Sequence, residues 1–100
     1  MTALDLFAPV PYQRFSDTSK EAALETQKRV AVLRHMVLGA FIAAGERGLT
    51  ADEAAERVSQ SVLAVRPRVT ELFQSGHIVP TGEKRTNASG LRARVLRRAP

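Results

Sequence analysis

The chain has 100 residues, 44% of them apolar, and no internal repeat, which predicts one domain with a modest buried core. The lack of cysteine excludes disulfides, thiolate metal sites and cysteine nucleophiles, and the longest mostly apolar run, 36–44, is too short to span a bilayer. Residues 1–60 hold seven Lys/Arg against eight Asp/Glu (net −1), whereas residues 61–100 hold eight against two (net +6). This asymmetry predicts a scaffold that carries a polyanion-binding surface.

Residues 1–19 are predicted to form an irregular apolar arm, separate from a domain at 20–98. Pro9 and Pro11 interrupt any helix there, yet the surrounding residues are too apolar for a free linker. The segment also lacks the early basic cluster of a signal peptide, so we expect a cytoplasmic protein without a membrane partner. Part of the arm should pack on the domain or on a partner.

A long helix is predicted at 20–45, after cap candidates at 17–19. Leu33, Val37 and Phe41 recur at helical spacing and should face the core. From Met36 to Ile42 the sequence is apolar nearly all round, which requires cover on more than one side. We therefore expect a homodimer through this segment and the arm.

A shorter helix is predicted at 50–58. Thr50 and Glu53 have the spacing of a capping box, in which each side chain bonds a free backbone amide of the other. A tight polar turn at 59–61 follows. This helix should support the next one, as the first helix of a helix-turn-helix does.

The next helix is predicted at 61–75, because apolar residues continue at helical spacing up to Gly76. Arg66 and Thr70 are four residues apart and project from another face, with Arg68 on its flank. Pro67 predicts a kink rather than a later start, since the apolar spacing runs through it. Arg68 has an alternative role, an ion pair with Glu71 at i+3.

A basic hairpin, or wing, is predicted at 77–97. Its turn-rich middle carries Lys84 and Arg85. In the second strand, Leu91, Ala93 and Val95 alternate with other residues at period two, which predicts that this apolar face is buried. The opposite face begins with two arginines, Arg92 and Arg94, which should point outward.

The chemistry of these residues favours DNA over catalysis. His35 and His77 have no cysteine or second ligand at a metal-binding spacing, so we expect no enzyme activity, metal or cofactor. An α-helix fits the major groove, where arginine can make two hydrogen bonds to guanine, while wing cations suit phosphates. The candidate DNA-binding residues are Arg66, Arg68, Thr70, Lys84, Arg85, Arg92 and Arg94.

Residues 49–97 resemble a winged helix-turn-helix of the MarR-like type, on Leu49-Thr50, Glu53-Ala54-Ala55 and Gly76-His77-Ile78-Val79. The run Arg66-Pro67-Arg68 and the wing residues also resemble small winged-helix proteins of phages and prophages. The resemblance implies a mainly α fold with a small β-hairpin (α+β), with the third helix in the major groove and the wing on the backbone. It implies a sequence-specific DNA-binding regulator encoded by a phage or mobile element. The alternative is a protein-binding winged-helix module that modulates a host defence or transcription complex.

Overall fold

The computed structural model describes residues 16–100, with side chains from Lys20 onward. Residues 1–15 of the arm predicted at 1–19 lie outside the described residues. The helices are α1 (Ser16–Ala44), α2 (Ala51–Arg57) and α3 (Val62–Gln74), with a 3₁₀ turn at Gly45–Arg47 after α1. Two antiparallel strands follow, β1 (Ile78–Thr86) and β2 (Arg92–Arg98). The described part of the chain is thus mainly helical with one β-hairpin, which confirms the α+β class.

Helix α1 begins at Ser16, earlier than the predicted start at 20. The cap candidates at 17–19 are therefore part of the helix rather than its cap. Amide groups in a first turn have no intrahelical acceptor, so short polar residues are tolerated there. The helix ends at Ala44 because Gly45 adopts a left-handed conformation, with φ of 63°.

The core lies where α1 meets α2, α3 and β2. Its buried residues are Leu33, Val37, Phe41, Leu49, Ala54, Ala55, Val58, Val65, Val69, Leu72, Ile78 and Leu96. Met36, Leu38 and Ala40 are partly buried against this core, while Ile42 is 46% exposed. The chain itself thus covers much of the segment that suggested a dimer, and the dimer stays a prediction.

The segment before α2 pairs with the hairpin. Leu49 and Leu96 exchange backbone hydrogen bonds of 2.8 and 2.9 Å, so β2 lies between Leu49 and β1. Pro80 faces Leu96 in the hairpin register, and it is tolerated because Leu96 directs its N–H and C=O to Leu49 instead.

Gly48 makes this close approach possible. A Cβ atom at this position would lie 2.4 Å from the Leu96 carbonyl oxygen and 2.8 Å from a Val95 methyl carbon. Its φ of 70° and ψ of 178° also belong to a region that is essentially restricted to glycine. Only glycine therefore fits between the 3₁₀ turn and β2.

The predicted faces of the second strand are confirmed from Arg92 to Val95, where the arginines are exposed and Ala93 and Val95 are half-buried and buried, but they are wrong at Leu91 and Leu96. Leu91 is 69% exposed and lies before β2, whereas Leu96 is buried and shares a strand face with Arg92 and Arg94. The physical reason is the bridge to Leu49, which draws Leu96 into the core while Val95 packs on Gly48. The two arginines consequently share the face that turns toward α3.

Helix α3 begins at Val62 and continues through Pro67, so the early start is confirmed, while the kink stays a prediction. The Ser61 hydroxyl caps it by accepting a hydrogen bond of 3.2 Å from the Ala64 amide. Proline deprives the Leu63 carbonyl of its usual donor, but both residues lie on the exposed side of the helix, where water can replace that donor.

Candidate nucleic-acid interface

One face of α3 is open to solvent along the whole helix. Leu63, Arg66, Pro67, Thr70 and Gln74 are all exposed, and their spacing places them within one narrow arc. The opposite face holds the buried valines and leucine of the core. One side of the helix therefore packs on the core, and the other side is exposed to solvent.

A groove of about 330 Å³ separates this face of α3 from the wing. The first turn of α2 closes one side of it with Asp52. Four of the predicted DNA-binding residues line it, namely Arg66, Thr70, Arg92 and Arg94. The fold thus brings Arg66 and Arg94, which are 28 positions apart in the sequence, to the same groove.

The hairpin register adds Lys84 to the same strand face. Lys84 lies directly opposite Arg94, and paired residues in antiparallel strands point to the same side. Neither forms an ion pair with any residue between 20 and 100. The Arg94 guanidinium lies 4.8 Å from the centre of the Phe73 ring on α3, a cation–π contact that fixes its position.

Like charges directly opposite each other weaken a β-hairpin. The Lys84–Arg94 pair therefore costs the free protein stability, which an anion in the groove would recover.

Arg66 and Thr70 are both held in place within the free protein. An Arg66 Nη donates to a carboxylate oxygen of Asp52 at 3.1 Å, while 57% of the Arg66 side chain stays exposed. The Thr70 hydroxyl donates to the Arg66 backbone carbonyl at 3.2 Å. Asp52 thus limits the conformations of Arg66 without covering it.

Arg85 faces away from the groove. It forms an ion pair with Glu53 and donates to the Arg47 carbonyl oxygen at 3.1 Å. Only 24% of its side chain is exposed. It joins the wing to the 3₁₀ turn and to the first turn of α2.

The capping box of α2 is formed and is also tied to the wing. The Thr50 hydroxyl accepts from the Glu53 amide at 3.2 Å, and a carboxylate oxygen of Glu53 accepts from the Thr50 amide at 2.9 Å. The same hydroxyl donates to the Asn87 side-chain oxygen at 2.8 Å, directly after β1. Because Arg85 forms an ion pair with Glu53, both residues of the capping box contact the hairpin segment.

Arg68 also faces away from the groove, toward α1. It donates to Glu71 at 2.9 Å, which confirms the pair expected from the i+3 spacing. Arg34 of α1 donates to the other oxygen of the same carboxylate at 2.9 and 3.0 Å. Glu71 therefore joins α1 to α3 through two arginines, and 15% of the Arg68 side chain is exposed.

Sequence reasoning missed three contributors to the site. Asp52 and Phe73 contact groove arginines from 14 and 21 positions away, which no local pattern indicates. Leu63 carried a usable signal, because it lies at i−3 from Arg66 and i−7 from Thr70, on the same helical face.

Within residues 16–100, no cluster of three or more His, Asp or Glu side chains is placed to hold a metal ion. In the same part of the chain, no helix is both long and apolar enough to cross a membrane.

No protein-family model, curated protein or solved structure matches this chain. The resemblance of residues 49–97 to a winged helix-turn-helix therefore rests on the residues themselves.

Proposed function

We propose that the protein is a winged helix-turn-helix domain that binds double-stranded DNA and acts as a small regulator. In this proposal α2 supports α3, α3 enters the major groove, and the hairpin lies along the neighbouring phosphate backbone. The observation that carries the proposal is the groove, in which Arg66, Arg92 and Arg94 gather beside the exposed face of α3.

The element order supports this interpretation. Two helices joined by a short turn precede a hairpin, and the Leu49–Leu96 bridge adds a third strand segment beside it. Helix α3 has 13 residues and is thus about 20 Å long. Its diameter of about 10–12 Å suits the major groove, which is about 12 Å wide.

The basic residues divide into two roles. Arg66 is exposed on α3 and is the candidate base reader, with Asp52 orienting its guanidinium. Lys84, Arg92 and Arg94 are the candidate phosphate contacts, which contribute affinity more than sequence information. We assign Arg68 and Arg85 supporting roles, because each is mostly buried outside the groove, whereas Arg66 stays 57% exposed beside Asp52.

A protein-binding function has weaker support. The exposed apolar residues of α1 (Leu24, Val32 and Ile42) are spread along the helix and form no continuous patch. A partner that docks on apolar residues of α1 would also leave the basic residues of the groove without a role.

The experiment is a binding titration in two stages. A random-sequence duplex is titrated at several salt concentrations between ~50 and ~200 mM, and a preferred duplex is then enriched from a random pool by repeated binding and amplification. We expect binding that weakens with salt, with a slope of about −0.9 per phosphate contact. Arg66→Ala should weaken the enriched duplex by about 1–3 kcal/mol and the random duplex much less.

Lys28→Ala, which removes an exposed cation of α1 away from the groove, is the matched control and should leave both affinities unchanged. Lack of salt-dependent binding to any duplex would contradict the proposal. Equal losses on both duplexes for Arg66→Ala would remove Arg66 as a base reader and leave general DNA binding intact.

A further inference from the structure

The exposed face of α3 carries two apolar residues in its N-terminal half, next to Arg66. Leu63 is 83% exposed, more than any other large apolar residue from position 20 onward. Pro67, one turn further along, is exposed beside it. The Thr70 hydroxyl turns its hydrogen to the Arg66 carbonyl, so its donor is already used.

A surface that contacts only phosphates gains nothing from an exposed leucine and proline beside its arginine. Single exposed apolar residues are ordinary on protein surfaces, but these two share the exposed face of α3 with Arg66 and Thr70, which line the groove. DNA offers one apolar group that projects into the major groove, the C5-methyl of thymine.

We infer that Leu63, with Pro67 beside it, reads thymine methyl groups. The inference rests on the proposed function and names the kind of base pair that the site prefers. Leu63 is the second residue of α3, and the first residues of a recognition helix are those that contact base edges.

The positions of Leu63 and Arg66 also set the spacing of the bases. Residues at i and i+3 on a helix have Cβ atoms about 5–6 Å apart, and successive base pairs are separated by about 3.4 Å. The methyl group under Leu63 and the guanine under Arg66 should therefore lie within about two base pairs of each other.

The test compares the enriched duplex prepared with thymine and the same duplex prepared with uracil. The two share the phosphates, sequence and pairing edges and differ only by the methyl groups. Burial of one methyl group changes an equilibrium constant by about fourfold, so the wild-type protein should bind the uracil duplex at least about fourfold more weakly. Leu63→Ala should bind both duplexes equally, at the affinity of the wild type for the uracil form.

Two variants control the comparison. Leu24→Ala removes an exposed leucine of α1 and should keep the full preference for thymine. Arg92→Ala with Arg94→Ala should weaken both duplexes and also keep the preference. Because Leu63 is exposed, its replacement should leave the melting temperature unchanged, which a circular dichroism melt checks.

Equal wild-type affinity for the two duplexes, or an enriched sequence without thymine, would overturn the inference while DNA binding stands. A preference for thymine that persists in Leu63→Ala would also overturn it, because the methyl groups would then act through DNA stiffness. If no duplex binds at all, the proposed function fails and the inference fails with it.

Discussion

Two groups of basic residues on α3 and the wing differ in their surroundings rather than in their chemistry. The anchoring arginines, Arg68 and Arg85, are 15% and 24% exposed and bond to carboxylates. The groove cations are Arg66, Lys84, Arg92 and Arg94. The Arg66 side chain is 57% exposed, which is more than twice the exposed fraction of either anchoring arginine.

The difference lies in where the acidic residues are. Glu71 and Glu53 each bond an anchoring arginine and a second group, namely Arg34 and the Thr50 amide. Ion pairs that share a carboxylate in a half-buried network stabilise more than isolated surface pairs, which contribute about 0–1 kcal/mol. Among residues 20–100, Asp52 is the one acidic residue that lines the groove. A basic residue on such a domain thus becomes structural or ligand-binding according to the acid that the fold places beside it.

Replacement of an anchoring arginine should give the largest effect. Arg85→Met should lower the free energy of unfolding by about 2 kcal/mol, because Glu53 and the Arg47 carbonyl lose a charged donor in a half-buried place. Urea denaturation measures the change. The matched control is Arg98→Met, an exposed arginine at the end of β2, which should stay within about 0.5 kcal/mol of wild type. Equal stability of both variants would erase the distinction between the two groups.

Loss of the capping box should give the second-largest decrease in stability. Thr50→Ala should cost up to about 2 kcal/mol, since the buried hydroxyl both caps α2 and donates to Asn87. Thr50→Ser keeps both hydrogen bonds and should retain most of the stability. DNA affinity measured well below the melting temperature should not change for either variant. An unaltered melting curve for Thr50→Ala would show that the cap contributes nothing to stability.

Removal of groove cations should act on binding instead. Arg92→Ala combined with Arg94→Ala should flatten the dependence of log K on log salt by about two units, one for each lost phosphate contact. The stability loss should stay within about 1 kcal/mol, from the contact between Arg94 and Phe73. An unchanged salt slope would place the wing away from the backbone.

The smallest effect should come from Asp52→Asn, which removes the acid from the groove instead of a cation. Asp52 is the acid that partly neutralises the groove, so its loss should raise affinity for random DNA about two- to threefold at low salt. The gain should vanish at high salt. If Asp52 orients Arg66, preference for the enriched duplex should fall at the same time.

The sequence predicted what depends on neighbours along the chain. The capping box, the helix through Pro67 and the Arg68–Glu71 pair all involve residues within one helical turn, and all three are present. The burial of Leu96 was not predicted, because the bridge between Leu49 and Leu96 joins residues 47 positions apart. The Arg85–Glu53 pair, 32 positions apart, was invisible for the same reason.

The hairpin contains a further irregularity of this kind. Pro80 pairs with Leu96 and Lys84 with Arg94, so Thr81, Gly82 and Glu83 together face Val95 alone. The Thr81 hydroxyl stabilises this bulge by donating to the Val95 carbonyl at 3.2 Å and accepting from the Glu83 amide at 3.1 Å. Without the bulge, Lys84 would lie opposite a different residue. Residue alternation in β2 alone could not indicate that shift.

Gly48 acts as a spacer that sets the width of the groove between α3 and the wing, where we propose that DNA binds. Because it has no side chain, β2 approaches the start of α2 until the Leu96 carbonyl oxygen accepts from the Leu49 amide. Arg92 and Arg94 lie on that strand, whereas Arg66 belongs to the helical layer. Any larger residue at position 48 would push the strand outward and increase the distance between the phosphate contacts and the base reader. In the proposed complex, the fit between protein and duplex is thus set at a residue away from the DNA.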